Sequence, residues 1–305
     1  MKFRWTSVAW SIAYLLLLLS LSTPLLLITT LFMIIPAVVL FTTLNTKQFI
    51  IHVLPIMLIV GLITPIYLVI AVYFMIPALV MGRFYKKRAS AMSTLLAGTV
   101  TILGEFLLLL LLGTALFNFD LSSYVNDVLQ MVTSPLSQLG TANPLISDLN
   151  FTSEDVNKIS IMTIQMIPMT LIVSSFMIAV ITHSIVRPIL NSMEYAVPKM
   201  KPAREWRLPR SFIWYYLIGV IIQMLFSGSD SSYMTMISAN LLPLLRIGFM
   251  IQAIGFFFFV AHERKWNKII PILLAIPIIL LPPLRIIGII DLVFPLRAFV
   301  TKSKR

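Results

Sequence analysis

Long apolar runs, separated by short polar segments, recur along the whole chain. Many of these runs reach the roughly 20 residues that a helix needs to cross a bilayer, and they lack the apolar–polar alternation of a barrel strand. The pattern therefore predicts an all-α fold, a polytopic transmembrane helical bundle. The first eight predicted spans are Trp5–Leu21, Pro24–Phe41, Phe49–Ile63, Pro65–Met81, Ala89–Phe117, Ile159–Val186, Ser211–Phe226 and Tyr233–Ala261.

The last apolar region, Ile269–Val300, is interrupted by Pro282 and Pro283. Because proline breaks a helix, this region predicts either two short crossings or one crossing and an interfacial piece. Both termini are expected on the cytoplasmic side, so the number of crossings is even. The sequence thus predicts eight to ten spans, with ten favoured. The leucine-rich N-terminus resembles a signal peptide but lacks a clear cleavage site, and is expected to stay as the first helix.

Two N-terminal segments share one spacing. TPLLLITTLFMIIPAVV begins at Thr23 and TPIYLVIAVYFMIPALV begins at Thr64, so Thr-Pro and Ile-Pro-Ala recur at equal offsets in both copies. Threonine can cap a helix and proline suits its first position. The pattern predicts a duplicated helical hairpin of four short, proline-broken spans over residues 1–88, followed by a main bundle over residues 89–305.

Charge separates the loops into two classes. Apolar residues make up 59% of the 305 residues and charged residues only 11%, with a net charge of +12. The bases gather in segments such as the predicted cytoplasmic loop 187–210. The acids Asp120, Asp127, Asp148, Glu154, Asp155 and Asp230 lie in other loops, mainly the outer loop 118–158. This positive-inside pattern follows from insertion into a lipid bilayer, and it needs no nucleic acid as a partner.

Two loops carry more specific patterns. Residues 121–140 place apolar side chains on one helical face, which predicts an amphipathic helix that lies on the membrane surface or closes over a cavity. The inner loop 198–212 mixes prolines with bases and aromatic residues. It is interpreted either as an anchor among lipid headgroups or as a docking surface for a protein partner. The residues concerned are Arg204, Trp206, Arg207 and Arg210.

An arginine stands in the middle of the eighth predicted span. Arg246 lies 15 residues before Ala261, the predicted inner end of that span. Glu105 lies 16 residues after Ala89, the predicted inner end of the fifth span. Both are therefore roughly 23 Å from the cytoplasmic surface if their spans are helical. An unpaired arginine at that depth costs about 3 kcal/mol or more. The matching depths predict that Glu105 and Arg246 face each other or share a wet cavity.

Other polar residues in apolar runs extend this hypothesis. Asn240 and Gln252 each lie six residues from Arg246, and together with Glu105 the three are predicted to line a substrate site near the midplane. Arg285 and Asp291 form a second set of opposite charges. Asp291 is an alternative partner for Arg246. Such pairs serve either a substrate or helix packing.

Several kinds of chemistry lack their usual residues. The chain has no cysteine, which excludes disulfides and thiolate metal sites. It has neither the phosphate-binding loop of an ATPase nor a zinc-protease or nucleophile-elbow motif. We therefore expect no enzymatic activity, no catalytic residue, no metal and no cofactor.

The second half of the chain, from about residue 185, resembles the YybS family. The resemblance rests on W-x-L-P before the seventh span, an N…Q pair in the eighth, and a terminal G-x-x-D…R. The matching residues are Trp206, Leu208, Pro209, Asn240, Gln252, Gly288, Asp291 and Arg297. The resemblance implies an uncharacterised multi-pass protein of the bacterial cytoplasmic membrane. It also implies a distant relation to the substrate-binding subunits of energy-coupling-factor vitamin transporters, and a cyclic-dinucleotide phosphodiesterase as a possible partner.

Two functions are compatible with these patterns. The first is a transport-type or small-molecule-binding membrane subunit with a polar midplane site and no ATPase of its own. The alternative is a membrane scaffold or regulator that binds another membrane or cytoplasmic protein. An observed midplane cavity favours the first, whereas loss of a co-purifying partner on mutation of Arg204, Trp206 and Arg207 favours the second.

The predicted pairing of Glu105 with Arg246 can be tested by stability measurements. Glu105→Gln and Arg246→Gln should each lower the thermal stability of the purified protein, because each leaves an unpaired charge in an apolar medium. The double variant should recover part of the loss. Strictly additive losses would contradict the pairing.

Overall fold

The computed structural model describes residues 5–142, 151–226 and 232–302, which are mostly helical. Apolar runs form helices here because a helix satisfies its own backbone groups in hydrocarbon. The helices are α1 (Trp5–Leu19), α2 (Leu26–Phe32), α3 (Ile34–Thr43), α4 (Thr46–Ile63), α5 (Pro65–Lys86), α6 (Ala91–Phe117), α7 (Leu121–Ala142), α8 (Ser153–Ser192), α9 (Ser211–Phe226), α10 (Ser232–Glu263), α11 (Ile269–Leu280), α12 (Ile286–Val293) and α13 (Leu296–Lys302).

The all-α membrane fold is confirmed, but the count of long spans is lower than predicted. Among the described residues, six helices are long and apolar enough to cross a membrane. A bent pair, Ile269–Leu280 with Pro282–Val293, makes a seventh if it is one span. Two apolar segments, Ile28–Thr43 and Ser211–Phe226, are helical but shorter. The prediction of eight to ten spans also counted these two shorter segments and up to two crossings in the last apolar region.

Proline positions explain one helix break and one helix start, whereas Pro55, Pro77, Pro135, Pro243 and Pro277 lie inside continuous helices. The bent pair turns by 116° at Pro282 and Pro283, as the dipeptide predicts. Pro65 occupies the first turn of α5, after Thr64 at the N-cap position. The Thr64 side chain makes no capping hydrogen bond. The matching segment at Thr23 starts differently, although the Thr23 hydroxyl accepts from the Leu25 N–H at 3.3 Å. There the helix begins only at Leu26, after Leu25 at the N-cap position, because Thr23 ends a short 3₁₀ turn and its hydroxyl donates to the Ser20 carbonyl.

The chain folds as two compact units. Unit 1 contains residues 1–119 and 171–200, and unit 2 contains residues 120–170 and 201–305. This division differs from the predicted boundary after residue 88, because α6 packs on α5 within unit 1. The helix α8 passes from unit 2 into unit 1 between Thr170 and Leu171.

The core of unit 1 surrounds α3. Every residue from Ile34 to Leu40 is buried, and α1 and α5 both pack against this helix. The hydroxyl of Tyr14, fully buried on α1, donates to the Ala71 carbonyl at 3.1 Å. At the end of α3, the Tyr195 hydroxyl donates to the Thr43 carbonyl at 3.0 Å. These polar contacts satisfy backbone groups that the apolar core leaves open.

The core of unit 2 is the contact of α9, α10 and α12. Leu245, Phe249 and Leu292 form its buried centre. Gly288 lets α12 approach the backbone of α10, because a Cβ at this position would collide with the carbonyl group of Phe249. The position therefore requires glycine, and α10 and α12 are the most intimately packed pair in this unit.

The amphipathic pattern of residues 121–140 predicted a helix in the outer loop, and the structure has the helix α7 there. The following helix, α8, starts with a capping box. The Thr152 backbone N–H donates to the Asp155 carboxylate at 3.0 Å, and the Asp155 N–H donates to the Thr152 hydroxyl at 3.2 Å. The predicted outer acids Asp148 and Asp230 lie outside the described residues.

Candidate functional site

Glu105 is a buried carboxyl group in the middle of a membrane-spanning helix. It is the fifteenth of the 27 residues of α6, and its exposed fraction is 8%. Neither carboxyl oxygen accepts a hydrogen bond within the part of the chain that the structure describes. Buried polar groups in native proteins are nearly always paired, so this residue is an exception that calls for an explanation.

Tyr73 on α5 adds a second such group beside Glu105. Its hydroxyl is buried and has no hydrogen-bond partner among the described residues. Its ring packs against Phe106 at a centroid distance of 6.1 Å. Unit 1 thus brings one carboxyl and one hydroxyl together at mid-helix depth. The sequence analysis missed Tyr73, since a lone tyrosine in an apolar run carries no signal of its own.

Arg246 is exposed on α10, and it makes no ion pair with any described residue. Glu105 belongs to unit 1 and Arg246 to unit 2. Their predicted pairing stays a prediction, to be decided by the stability test given above.

Asn240, predicted to line a substrate site, hydrogen-bonds to the backbone of α8 beside Pro168. The Met169 N–H donates to Asn240 Oδ1 at 2.8 Å, and Asn240 Nδ2 donates to the Gln165 carbonyl at 2.7 Å. In an unbroken helix these two backbone groups would bond to each other. Pro168 lies between them, lacks an N–H and pushes the preceding turn away. The carboxamide of Asn240 therefore bridges the opened turn.

Gln252 is also held by structural hydrogen bonds. Its Oε1 accepts from the Leu208 N–H at 2.8 Å, and its Nε2 donates to Asp291 Oδ2 at 2.5 Å. Gln252 and Asp291 are each 1% exposed. The side chain joins the loop before α9 to α12, so both of its polar ends are already occupied.

Arg297 connects the same loop to Asp291. Its Nη2 lies 3.0 Å from Asp291 Oδ2 in a buried ion pair. Its Nη1 donates to the Arg204 carbonyl at 3.0 Å, and Nη2 donates to the Trp206 carbonyl at 2.9 Å. Its guanidinium also stands 5.3 Å from the centre of the Phe259 ring. A guanidinium suits this position because its planar fork can serve several acceptors at once.

This arrangement corrects the predicted charge pairs. The sequence analysis considered Arg285 or Arg246 as the partner of Asp291, but the structure pairs Asp291 with Arg297. Arg297 lies near the end of the predicted apolar region Ile269–Val300, a few residues before the basic C-terminus. Its position in the G-x-x-D…R pattern was the one available sign of its role. Arg285 makes no ion pair with a described residue, and its Nε is buried without a hydrogen-bond partner there.

The basic loop before α9 divides into internal and exposed side chains. Trp206 is half-buried and its ring N–H donates to the Lys201 carbonyl at 2.8 Å. Arg204 lies 3.1 Å from a ring nitrogen of His262 at the end of α10. Arg207 and Arg210 are exposed. Of the four predicted docking residues, two therefore help to shape the loop and two present their charge outward.

Comparison with known proteins gives one family and one relative. The model of a family described as "Predicted membrane protein (DUF2232)" matches residues 11–292. The chain is 24% identical over 228 residues to the uncharacterized protein YybS of Bacillus subtilis (strain 168), covering 71% of each chain. No solved structure matches the chain. The resemblance to the YybS family, expected from eight residues, is confirmed.

The bridge at Pro168 can be tested with a double-mutant cycle. Asn240→Ala should lower the free energy of unfolding by about 1–3 kcal/mol, since it leaves Met169 N–H and Gln165 C=O unpaired. In a Pro168→Ala background, α8 can close its own hydrogen bond and the same change should cost less. Thermal unfolding of the four purified proteins measures the coupling. Equal costs in both backgrounds would contradict the bridging role.

Proposed function

The chain belongs to the DUF2232 family of predicted membrane proteins, and we propose that it is a transport-type or small-molecule-binding membrane subunit. Its site is centred on Glu105 in the middle of α6, and the chain has no ATPase of its own. The observation that carries this proposal is the burial of the Glu105 carboxyl without a hydrogen-bond partner among the described residues.

The energetics of this position support a binding role. A carboxylate taken out of water costs several kcal/mol unless other groups compensate it, and ionisable residues within membrane spans commonly mark substrate or proton pathways. A purely structural carboxyl would be expected to bond to its neighbours. Asn240 and Gln252 do so and are therefore removed from the proposed site, although the sequence analysis placed them in it.

The chemistry of the two open groups defines the solute class. The Glu105 oxygens require a proton, a cation or a hydrogen-bond donor, and the Tyr73 hydroxyl can either donate or accept. A solute with an amine or amide group meets both requirements. The apolar residues around them favour a small ligand with only a few polar atoms.

We further propose eight crossings with both termini in the cytoplasm, formed by α1, α2–α3, α4, α5, α6, α8, α9 and α10. The pair α11–α12 is a hairpin that enters and leaves the membrane on the cytoplasmic side. α11 has 12 residues and α12 has eight, so they extend about 18 and 12 Å. Neither crosses a hydrocarbon core about 30 Å thick.

The contacts of the basic loop support the same topology. Arg204 contacts His262, just before α11, and its carbonyl accepts from Arg297, just after α12. Both ends of the hairpin therefore lie beside one loop. The hairpin returns to the side from which it starts, which keeps the basic C-terminus with the basic loops as the positive-inside rule requires.

The absence of cysteine from the sequence makes this topology easy to test. Single cysteines at Lys268 and Thr301 mark the hairpin ends, one at Leu281 marks its tip, and one at Ser123 marks the outer helix α7. In intact cells a membrane-impermeant maleimide should label only the Ser123 variant. The Lys268 and Thr301 variants should react after permeabilisation. Labelling of the Leu281 variant from outside as fast as the Ser123 variant would show that α11 crosses fully.

A second candidate function, a membrane scaffold, is favoured by one observation. The loop before α9 is held in place by Arg297 and Gln252 while Arg207 and Arg210 stay exposed. A fixed loop with outward charge is a suitable surface for an acidic cytoplasmic partner.

One experiment distinguishes the two functions. The full chain is extracted from its native membrane in polymer-bounded lipid discs, and small molecules and proteins that co-purify are identified by mass spectrometry. The variant Glu105→Gln removes the charge with little change of shape, and Tyr73→Phe removes the neighbouring hydroxyl. Glu154→Gln, at an exposed carboxylate at the start of α8, is the matched control.

We expect a solute that is retained by the wild type and the Glu154 variant and falls about tenfold or more in the Glu105 variant, the effect of one lost charge-assisted hydrogen bond. The Tyr73 variant should retain an intermediate amount. Equal retention by Glu105→Gln would refute the proposed site. A retained protein with no retained solute would favour the scaffold.

A further inference from the structure

The contact between α10 and α12 has a defined register. Gly288 faces Phe249 and Ala253, and Asp291 bonds to Gln252. The contacting residues of α10 and α12 increase in number in the same direction, so the two helices run parallel. The pairs Phe249–Gly288 and Gln252–Asp291 are separated by the same number of residues in the sequence. One turn before Gly288, the same separation places Arg285 at the level of Arg246.

The two arginines also lie on the facing sides of these segments. Arg246 precedes Phe249 by three residues and Ala253 by seven, which puts it in line with the stripe of α10 that contacts α12, at a position where its side chain is exposed. Arg285 precedes Gly288 by three residues, at the N-cap position of α12. The turn that contains it, Pro282–Arg285, packs against α10. Two guanidinium groups are thus brought to the same level at the tip of the α11–α12 hairpin.

No carboxylate of the described residues compensates these charges. Neither arginine makes an ion pair there, and Arg285 Nε is buried without a hydrogen-bond partner. Asp291, the acid of the same hairpin, is engaged by Arg297 and Gln252. Two like charges at one depth of an apolar medium repel each other and are poorly solvated. Their placement becomes favourable when an anion lies between them.

Arg246 lies near the middle of the long helix α10. The candidate span Tyr233–Glu263 has its centre at residue 248, so Arg246 is about 3 Å from the middle of α10. Arg246 is thus far from both ends of this helix, in an apolar stretch where a bound anion would compensate its charge. The irregular turn at the hairpin tip is itself a feature that is tolerated in membranes where it lines a cavity.

We infer that Arg246 and Arg285 form a binding site for an oxyanion group, a phosphate or a carboxylate, at the tip of the re-entrant hairpin. Two planar guanidinium forks can hold such a group by several charge-assisted hydrogen bonds. The group belongs either to a small solute or to the head of an anionic lipid drawn into the tip. The site lies in unit 2, whereas Glu105 lies in unit 1, so it does not depend on the function proposed there.

The test uses the full-length protein in an uncharged detergent. Intrinsic tryptophan fluorescence follows thermal unfolding while chloride is replaced by inorganic phosphate or succinate at constant ionic strength. The midpoint of the wild type should rise with either oxyanion, and its concentration dependence gives an apparent Kd. Arg246→Gln and Arg285→Gln should each weaken the apparent Kd about tenfold or more. Arg207→Gln, at an exposed arginine of the same unit, should respond like the wild type.

Conservative variants keep the test decisive if a glutamine variant does not fold. Arg246→Lys and Arg285→Lys retain the charge but lose the bidentate fork, so they should bind phosphate more weakly than the wild type. A second arm counts phosphatidylglycerol molecules that stay bound in native mass spectra. Loss of one bound lipid in both variants, with no response to free phosphate or succinate, identifies the lipid headgroup as the source.

Two outcomes would overturn the inference. In the first, neither the free oxyanions nor phosphatidylglycerol distinguishes the wild type from the Arg246 and Arg285 variants. In the second, the Arg207 variant loses the response to the same extent, which would mean that the anions act on general surface charge. Neither outcome bears on solute retention by Glu105, so the two proposals can fail separately.

Discussion

Hydrocarbon offers no hydrogen bonds, so a polar group in these helices has to be met by another part of the molecule. The fold of unit 2 shows how this constraint is satisfied. A proline opens α8, and the amide of Asn240 closes the gap. The loop before α9 exposes carbonyl groups, and Arg297 donates to them while it neutralises Asp291. Each of these departures from regular helix is matched by one side chain of suitable shape.

The same constraint separates structural polar groups from candidate functional ones. Asn240, Gln252 and Asp291 have every obvious requirement met, and they hold helices and a loop together. Glu105 and Arg285 are left with buried atoms that have no partner among the described residues. These two of the six described residues with such atoms have opposite chemical character, an acceptor in unit 1 and a donor in unit 2.

The sequence predicts the helices well because apolar length and proline positions act locally, as the break at Pro282 and Pro283 shows. The number of crossings was harder to predict, since a short apolar run looks the same whether it turns back or continues. Partners of charged residues were the least predictable feature. Arg285 and Asp291 were grouped because both lie in the last apolar region, but closeness in sequence does not show which side chains meet in the fold. The partner found, Arg297, resembled one more base of the C-terminal tail, and only the motif pattern connected it to Asp291.

The way in which the basic loop is held has a consequence for how such a protein can evolve. Arg297 and Gln252 bind the loop through its main-chain atoms. Arg297 donates to the carbonyl groups of Arg204 and Trp206, and Gln252 accepts from the N–H of Leu208. The loop's conformation is therefore largely independent of the side chains that point outward. The exposed residues of the loop can therefore be substituted without a change in the loop's backbone conformation. Related chains can in this way acquire different recognition surfaces on the same backbone.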